Sequence, residues 1–414
     1  MRGRPTVGDE RAGQGPGSTG IRRIALVGIE HSRLGGVAGF MNTLANGLLG
    51  RGYEVEIIGL QPSSPGNAYA FERDPGITVR TIQESIPPDW VRLDRLDRLN
   101  PRKVAAARRW QRTRDRGVAK LRPIVSGWGP ETLIICTQIQ GMEYLVPAGL
   151  EPGNPQGPYV IAQYHGSRQM SVAVGSVRRL RRWCANADRF LALTPTDAEE
   201  FRIRDQLNNT GFIYNPVPRQ RHGPAQREDV VVSLNRYDEQ KSLDWLLRAW
   251  AVVSPDFPQW RLRLYGEGPL RDELAVLIHE LGVSGTATLE GITSDPESVL
   301  RRAKIYALSS QDEGLPLTIV EAAVAGVPTV SFDCAPGIRD LIDDGVNGVV
   351  VPKNHVSGLV TGLRQLMADD ALRERLGVRA EQDSGRFALD TVLDRWEDEM
   401  RELTGRSTPR PAVV

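Results

Sequence analysis

Short apolar runs alternate with amphipathic stretches along most of this chain. IRRIALVGIE at 21–30 is rich in Ile and Val and predicts a buried strand. The glycine-containing loop HSRLGGVAG follows. FMNTLANGLLGRG then carries apolar residues at helical spacing and stops at Gly50 and Gly52. EVEIIGL predicts the next strand, so strand, helix and strand form a unit of the kind that builds parallel sheets. TLIICTQ, YVIAQYHG and RFLALTP predict three more strands. The second half repeats the alternation. DVVVSLNRY, WRLRLYGEG, ATLEGI, KIYALSS and PTVSFD read as strands, and SLDWLLRAWAVV, PLRDELAVLIHELG, DPESVLRRA and LTIVEAAVAG as helices. Between the halves, YNPVPRQRHGPAQRED is dense in Pro and charge and reads as a linker. The closing stretch RFALDTVLDRWEDEMREL sets Phe387, Val392, Leu393 and Trp396 at helical spacing. The expected organisation is a disordered tail at 1–20, a domain at 21–218, a second domain at 219–385, a closing helix at 386–404 and a tail at 405–414. Both domains are expected to be doubly wound, Rossmann-like α/β units.

Length supports that division, because 414 residues exceed what one hydrophobic core usually serves. No apolar stretch reaches the length of a membrane span. The first twenty residues lack the apolar core of a signal peptide. Cys136, Cys184 and Cys334 are few and widely spaced, which fits reduced thiols and a cytoplasmic location. The net charge of +1 conceals an asymmetry. Residues 1–218 hold 29 Lys and Arg against 20 Asp and Glu, a net of +9; the remainder holds 23 against 31, a net of −8. Within the first half, 91–122 carries twelve basic and three acidic residues, and SVRRLRRW adds Arg178, Arg179, Arg181 and Arg182 beside Trp183. A solvated helix face would account for one such run. Two in one domain point to an anionic surface, either a membrane or an anionic acceptor, with the protein peripheral at the membrane's inner face. No nucleic-acid-binding motif accompanies them, so no nucleic-acid partner is expected.

Four loops carry candidate chemistry. In SLNRYDEQKSL, Arg236 and Lys241 follow a strand and open a helix, where a loop faces the ligand crevice of a parallel sheet. They suit a diphosphate clamp, although the pair taken alone reads better as exposed loop cations. In SSQDEGLPLTIVEAAVAG, Gly314 permits close backbone approach, and Pro316 suits a helix's first turn. The backbone N–H groups of Leu315, Leu317 and Thr318 then face an anion. Glu313 precedes this helix and Glu321 lies within it. Two carboxylates flanking a diphosphate site can accept hydrogen bonds from vicinal sugar hydroxyls. A dipole-compensating acid would explain one of them, not Glu321 amid IVEAAVAG. In AQYHGSRQM, His165 ends a buried strand beside Gly166. In HSRLGGVAG, the Gly35-Gly36 pair lets the chain approach a phosphate or sugar, but GxGxxG is absent and a dinucleotide site is poorly supported. No HExxH, GxSxG, Walker loop or Asp-x-Asp pair is present, so no cofactor and no metal are expected.

Together and in this order, these pieces resemble glycosyltransferase family 4, the retaining nucleotide-sugar enzymes of the GT-B fold, over about residues 22–404. The strongest part is SSQDEGLPLTIVEAAVAGVPTVSFDCAPGIRDLIDDGVNGVVVP, with its Glu-x7-Glu pair, Gly-x-Pro turn and closing Asp-Gly-x-Asn-Gly. LYGEGPLRDELAVLIHELGV is also typical. FIYNPV and SFDCAPGIRDLI are similar to phrases in bacterial enzymes that glycosylate wall polymers or surface polysaccharides. The resemblance implies two domains facing each other across a cleft, with the C-terminal helix returning to the first. It implies that Arg236 and Lys241 hold the donor diphosphate and that the Gly314–Leu317 backbone caps it. Glu313 and His165 would act at the transferred sugar, Glu321 would bind the ribose, and Gly35 and Gly36 would lie against donor or acceptor. The donor implied is a UDP-sugar, the acceptor a glycan, wall polymer or lipid-linked species. Ala335-Pro336-Gly337 departs from a frequent Ser-Gly-Pro order and leaves the sugar preference open. A sugar-nucleotide epimerase or phosphorylase would share the crevice but needs further acids or a cofactor lysine. A non-catalytic nucleotide-sugar-binding protein would not need the full set of polar residues. An NAD enzyme lacks its glycine fingerprint.

Overall fold

The computed structural model describes residues 15–33, 35–63, 69–87, 100–217 and 226–405. Parts of the predicted tails and linker, and Arg92, Arg95 and Arg98 of the basic run, lie outside them. The first sheet contains β1 (Arg23–Gly28), β2 (Glu54–Gly59), β3 (Thr78–Thr81), β4 (Thr132–Cys136), β5 (Tyr159–Gln163), β6 (Arg189–Ala192) and β7 (Thr210–Phe212). Its order is β3-β2-β1-β4-β5-β6-β7, with every pairing parallel. The second contains β8 (Val230–Leu234), β9 (Arg261–Tyr265), β10 (Ala287–Gly291), β11 (Ile305–Leu308), β12 (Thr329–Phe332) and β13 (Gly348–Val351). Its order is β10-β9-β8-β11-β12-β13, again parallel throughout. Helices on both faces explain why the central strands are apolar at nearly every position: β4 and β11 are wholly buried.

β3, β7 and β13 were not anticipated from the hydrophobic pattern. Each lies at a sheet edge, and the first two bury little: all of β3 is exposed and β7 is half-buried. Pro16–Thr19, inside the stretch assigned to the N-terminal tail, forms a one-turn helix with Thr19 buried. The chain crosses between domains twice, at 213–217 and at 384–388. The two crossings touch, with the Val217 N–H donating to the Phe387 carbonyl at 2.9 Å and the Tyr214 and Phe387 rings 4.7 Å apart. The closing helix, Leu389–Thr404, then lies on the first domain. Val392, Leu393, Trp396 and Met400 join Phe40, Leu44 and Leu48 in one core cluster. Arg51 of the first domain holds it by ion pairs to Asp394 at 2.8 Å and to the buried Glu397 at 3.0 Å.

Candidate donor site between the two sheets

In each sheet the strand order reverses beside the first strand, at β1/β4 and at β8/β11. Loops diverge there at the carboxyl ends and leave a crevice. Arg236 and Lys241 follow β8; Glu313 to Leu317 follow β11. The switch point therefore brings two distant stretches of sequence together.

Lys241 Nζ lies 2.5 Å from Glu313 Oε1, and both side chains are largely shielded, at 17% and 8% exposure. An ion pair this short and screened fixes both groups. Around it, Lys241 N–H donates to Asp238 Oδ1 at 3.1 Å and Ser309 Oγ donates to the Lys241 carbonyl at 3.1 Å. Gln240 Nε2 donates to the Asp312 carbonyl at 2.8 Å. Arg236 is exposed and pairs with Asp238 at 2.7 Å. Its loop is seated by the one after β9: a Cβ on Gly268 would stand 2.4 Å from the Tyr237 carbonyl oxygen.

The helix Leu317–Val324 starts after Pro316, so Leu317 and Thr318 offer first-turn N–H groups toward the crevice. Leu315 and Pro316 are buried. Thr318 is held from below, its Oγ1 accepting from the buried Tyr306 hydroxyl at 2.6 Å. Glu321 sits a turn and a half into this helix, and its carboxylate has no hydrogen-bond partner among the described residues. Burial alone pushes its carboxyl up to about 7. An acid raised this way destabilises the free protein as pH climbs from the ordinary carboxyl range through about 7, because the unfolded chain ionises first. Such a group gains when hydroxyls are brought to it.

The first domain supplies the opposite wall. His165 follows β5 and packs against Phe40, ring centroids 4.8 Å apart. Burial pushes its imidazole down to about 3, so it is neutral at physiological pH. Asn215 Nδ2 lies 3.4 Å from His165 Nδ1, and His165 Nε2 is buried and unpartnered among the described residues. Gly35, at φ 155°, caps the helix Gly36–Gly50, and a Cβ on Gly36 would lie 3.8 Å from Leu317 Cδ1 across the crevice. Gly314 is packed against the other domain's backbone: its Cβ would stand 2.7 Å from the His165 carbonyl oxygen and 3.1 Å from Gly166 Cα. Ser167 Oγ donates to Asp312 Oδ1 at 3.2 Å, and Thr196 Oγ1 to Asp340 Oδ1 at 2.9 Å, so the domains also meet through side chains.

Of the loop candidates, Lys241 and Glu313 meet directly, and Gly36 and Gly314 lie against the opposite domain. Asn215, Ser167, Asp312 and Gly337 stand beside them, and the sequence assigned none of these four a role of its own. Asn215 stands in YNPV, where Pro216 and the linker composition masked it. Gly337 matters because a Cβ there would meet the Gly314 carbonyl oxygen at 2.4 Å, a contact made only in the fold.

Residues 216–383 match the family model described as Glycosyl transferases group 1. The chain is 37% identical over 178 residues to an exopolysaccharide phosphotransferase of Streptomyces coelicolor, covering 43% of this chain and 19% of that one. It is 27% identical over 205 residues to the poly(ribitol-phosphate) alpha-N-acetylglucosaminyltransferase of Staphylococcus aureus, covering 49% and 42%. The chain therefore spans less than half the length of these two relatives. Among solved structures, Anabaena HepE in complex with UDP and glucose superposes with a TM-score of 0.67 at 17% identity, covering 92% of this chain and 100% of that one. The architecture is GT-B.

Proposed function

We propose that this chain is a retaining glycosyltransferase of family 4. In this reading it moves a hexose from a UDP-sugar to a hydroxyl of a cell-envelope polymer, polysaccharide or lipid-linked acceptor, without a metal ion. The observation that carries the reading is the Lys241–Glu313 ion pair set beside the first turn of Leu317–Val324, with the unpartnered Glu321 one turn further in. The donor diphosphate fits between Lys241, Arg236 and the N–H groups of Leu317 and Thr318. These supply the positive potential that a departing nucleoside diphosphate needs. Glu321 accepts from the ribose hydroxyls. Glu313, oriented by Lys241, accepts from the hexose hydroxyls, and the neutral His165 donates its Nε2–H to another. The bond from the anomeric carbon to the phosphate oxygen breaks while the acceptor oxygen bonds on the same face, and the acceptor's proton passes to the leaving phosphate. No carboxylate serves as nucleophile in this scheme, unlike the double displacement of retaining glycosidases.

The wall-polymer acceptor draws support from the Staphylococcus aureus relative, and UDP from the complex with Anabaena HepE. The test is a reaction of UDP-α-hexose with poly(glycerol phosphate) in EDTA, followed by NMR of the anomeric proton. An α-linked product at undiminished rate is expected. A β-linked product contradicts retention, and turnover abolished by EDTA contradicts metal independence.

A further inference from the structure

The first domain carries a second feature that the crevice does not use. The helix Pro101–Val125 has 25 residues, about 37 Å of rise, whereas the five-residue strands of its sheet span about 17 Å. No residue of it before Gly117 is buried, so its N-terminal turns stand clear of the core at the carboxyl edge of the sheet, the crevice side. Ile139–Leu145 packs beside it, and Val177–Cys184 beside that. Glu143 of the middle helix ties the layer together. Its carboxylate receives both Arg179 Nε and Nη2 at 2.8 Å, and its carbonyl accepts from Arg114 Nη2 at 3.0 Å.

The remaining arginines of these helices turn outward. Arg178, Arg181 and Arg182 recur at i, i+3 and i+4 on Val177–Cys184, and all are exposed. Arg108, Arg109 and Arg112 are exposed on the side of Pro101–Val125 away from the buried Val118, Leu121 and Val125. None of these six pairs with a carboxylate among the described residues. Several other surface arginines are matched, Arg202 with Glu199, Arg271 with Glu267, Arg364 with Asp256 and Arg379 with Asp383, while exposed arginines elsewhere without a carboxylate partner among the described residues, such as Arg248, Arg302 and Arg375, stand singly rather than clustered on adjacent helices. Before Val177–Cys184, the short helix Arg168–Ala173 and the turn that follows it present Val172 at 51% and Val174 at 68% exposure. The turn is closed by Ser176 N–H donating to the Ser171 carbonyl at 2.8 Å and by Gly175 at φ 65°. The helix is capped by Ser167, which touches the second domain. Two exposed valines at the end of this helix and in its turn, next along the chain to the unmatched arginines and the half-buried Trp183 of Val177–Cys184, combine an apolar wedge with a positive face.

We infer that this face docks on an anionic lipid bilayer, with Val172 and Val174 entering the headgroup region and the six arginines lying against the lipid phosphates. A soluble polyanion would use the arginines equally but has no use for the valines, so the apolar turn decides for the bilayer. Docking there would hold the crevice mouth at the membrane surface. The inference does not depend on the transfer reaction, and its test needs no sugar donor.

The full chain is sedimented with vesicles of phosphatidylcholine alone or mixed with phosphatidylglycerol, at about 0.05 M and about 0.5 M salt. Binding to the anionic vesicles at low salt, and its loss at high salt or on neutral vesicles, is expected. R178Q/R181Q/R182Q should weaken it on the order of a hundredfold, about fivefold for each arginine. V172S/V174S, which removes the apolar surface without changing charge, should release the protein from vesicles while leaving its affinity for soluble polyphosphate unchanged. All five substituted residues are exposed, and circular dichroism verifies the folded state. No sedimentation with anionic vesicles at low salt overturns the inference. So does vesicle binding that V172S/V174S leaves intact while polyphosphate competes it away, which would assign the face to a polymeric anion.

Discussion

Replacing Glu313 by Gln is expected to lower turnover by about 10²–10³ while leaving UDP-hexose affinity nearly unchanged. Gln keeps the size of the side chain and one acceptor oxygen but removes its charge. Glu313 is shielded, at 8% side-chain exposure, and its partner Lys241 is nearly as shielded, so the charge acts through little water. Two things are lost together. The reacting sugar carries developing positive charge as its bond to phosphate stretches, and Glu313 no longer stabilises it. Lys241 also loses the carboxylate charge that aims its ammonium group, so the diphosphate is held less tightly in line. Both losses weigh on the transition state more than on the bound donor, so the effect falls on kcat rather than KM. Glu321→Ala is the matched control, weakening donor binding with a smaller effect on kcat. Equal and small effects at both positions would refute this division of roles.

Gly314→Ala is expected to cost about 10² in turnover for a different reason. The added Cβ would meet the His165 carbonyl oxygen at 2.7 Å and the Gly166 backbone at 3.1–3.3 Å. These are backbone atoms at the end of β5 and cannot rotate away, so the domains must part by several tenths of an ångström. The nucleotide's proposed contacts all lie in the second domain and survive the shift. The proposed contact between His165 and the sugar spans the two domains and does not. The variant should bind UDP like the parent, keep its melting temperature, and turn over slowly. A wild-type rate would show that the closed contact around Gly314 is not the reacting arrangement.

How much was legible in the sequence follows from where each signal resides. The central strands declared themselves because burial on both faces demands unbroken Ile and Val, as in IRRIALV and DVVVSL. β3 and β7 did not, because edge strands bury too little to leave a pattern: Thr78–Thr81 is exposed throughout. Glu321 was conspicuous as an acid in an apolar helix. The pairing of Lys241 with Glu313 was not, since 72 residues separate them and only the strand order of the second sheet makes them neighbours. His165 stood out by type and position, yet its neutrality comes from burial against Phe40, and its neighbour at Nδ1 is Asn215 in the crossing segment. The basic runs were plain in composition. That six of their arginines remain unmatched, and that two valines stand among them, is a property of the folded surface alone.

The central claim is that Lys241, Glu313 and Glu321 grip a nucleotide sugar. It is tested most directly by calorimetric titration of UDP-hexose across the pH range around 7, in the wild type and in Glu321→Gln. The donor's diphosphate diester does not titrate there, and neither does His165; Asp312 is also raised by burial, so the Glu321→Gln comparison is what isolates the Glu321 carboxyl, which burial raises to about 7. An ionised carboxylate accepts ribose hydroxyls more strongly than a protonated one. The account predicts that wild-type affinity rises as pH passes upward through about 7, and that the Glu321→Gln variant binds weakly with no such rise. An absence of binding by any nucleotide sugar, or the same pH-independent affinity in both proteins, would contradict it.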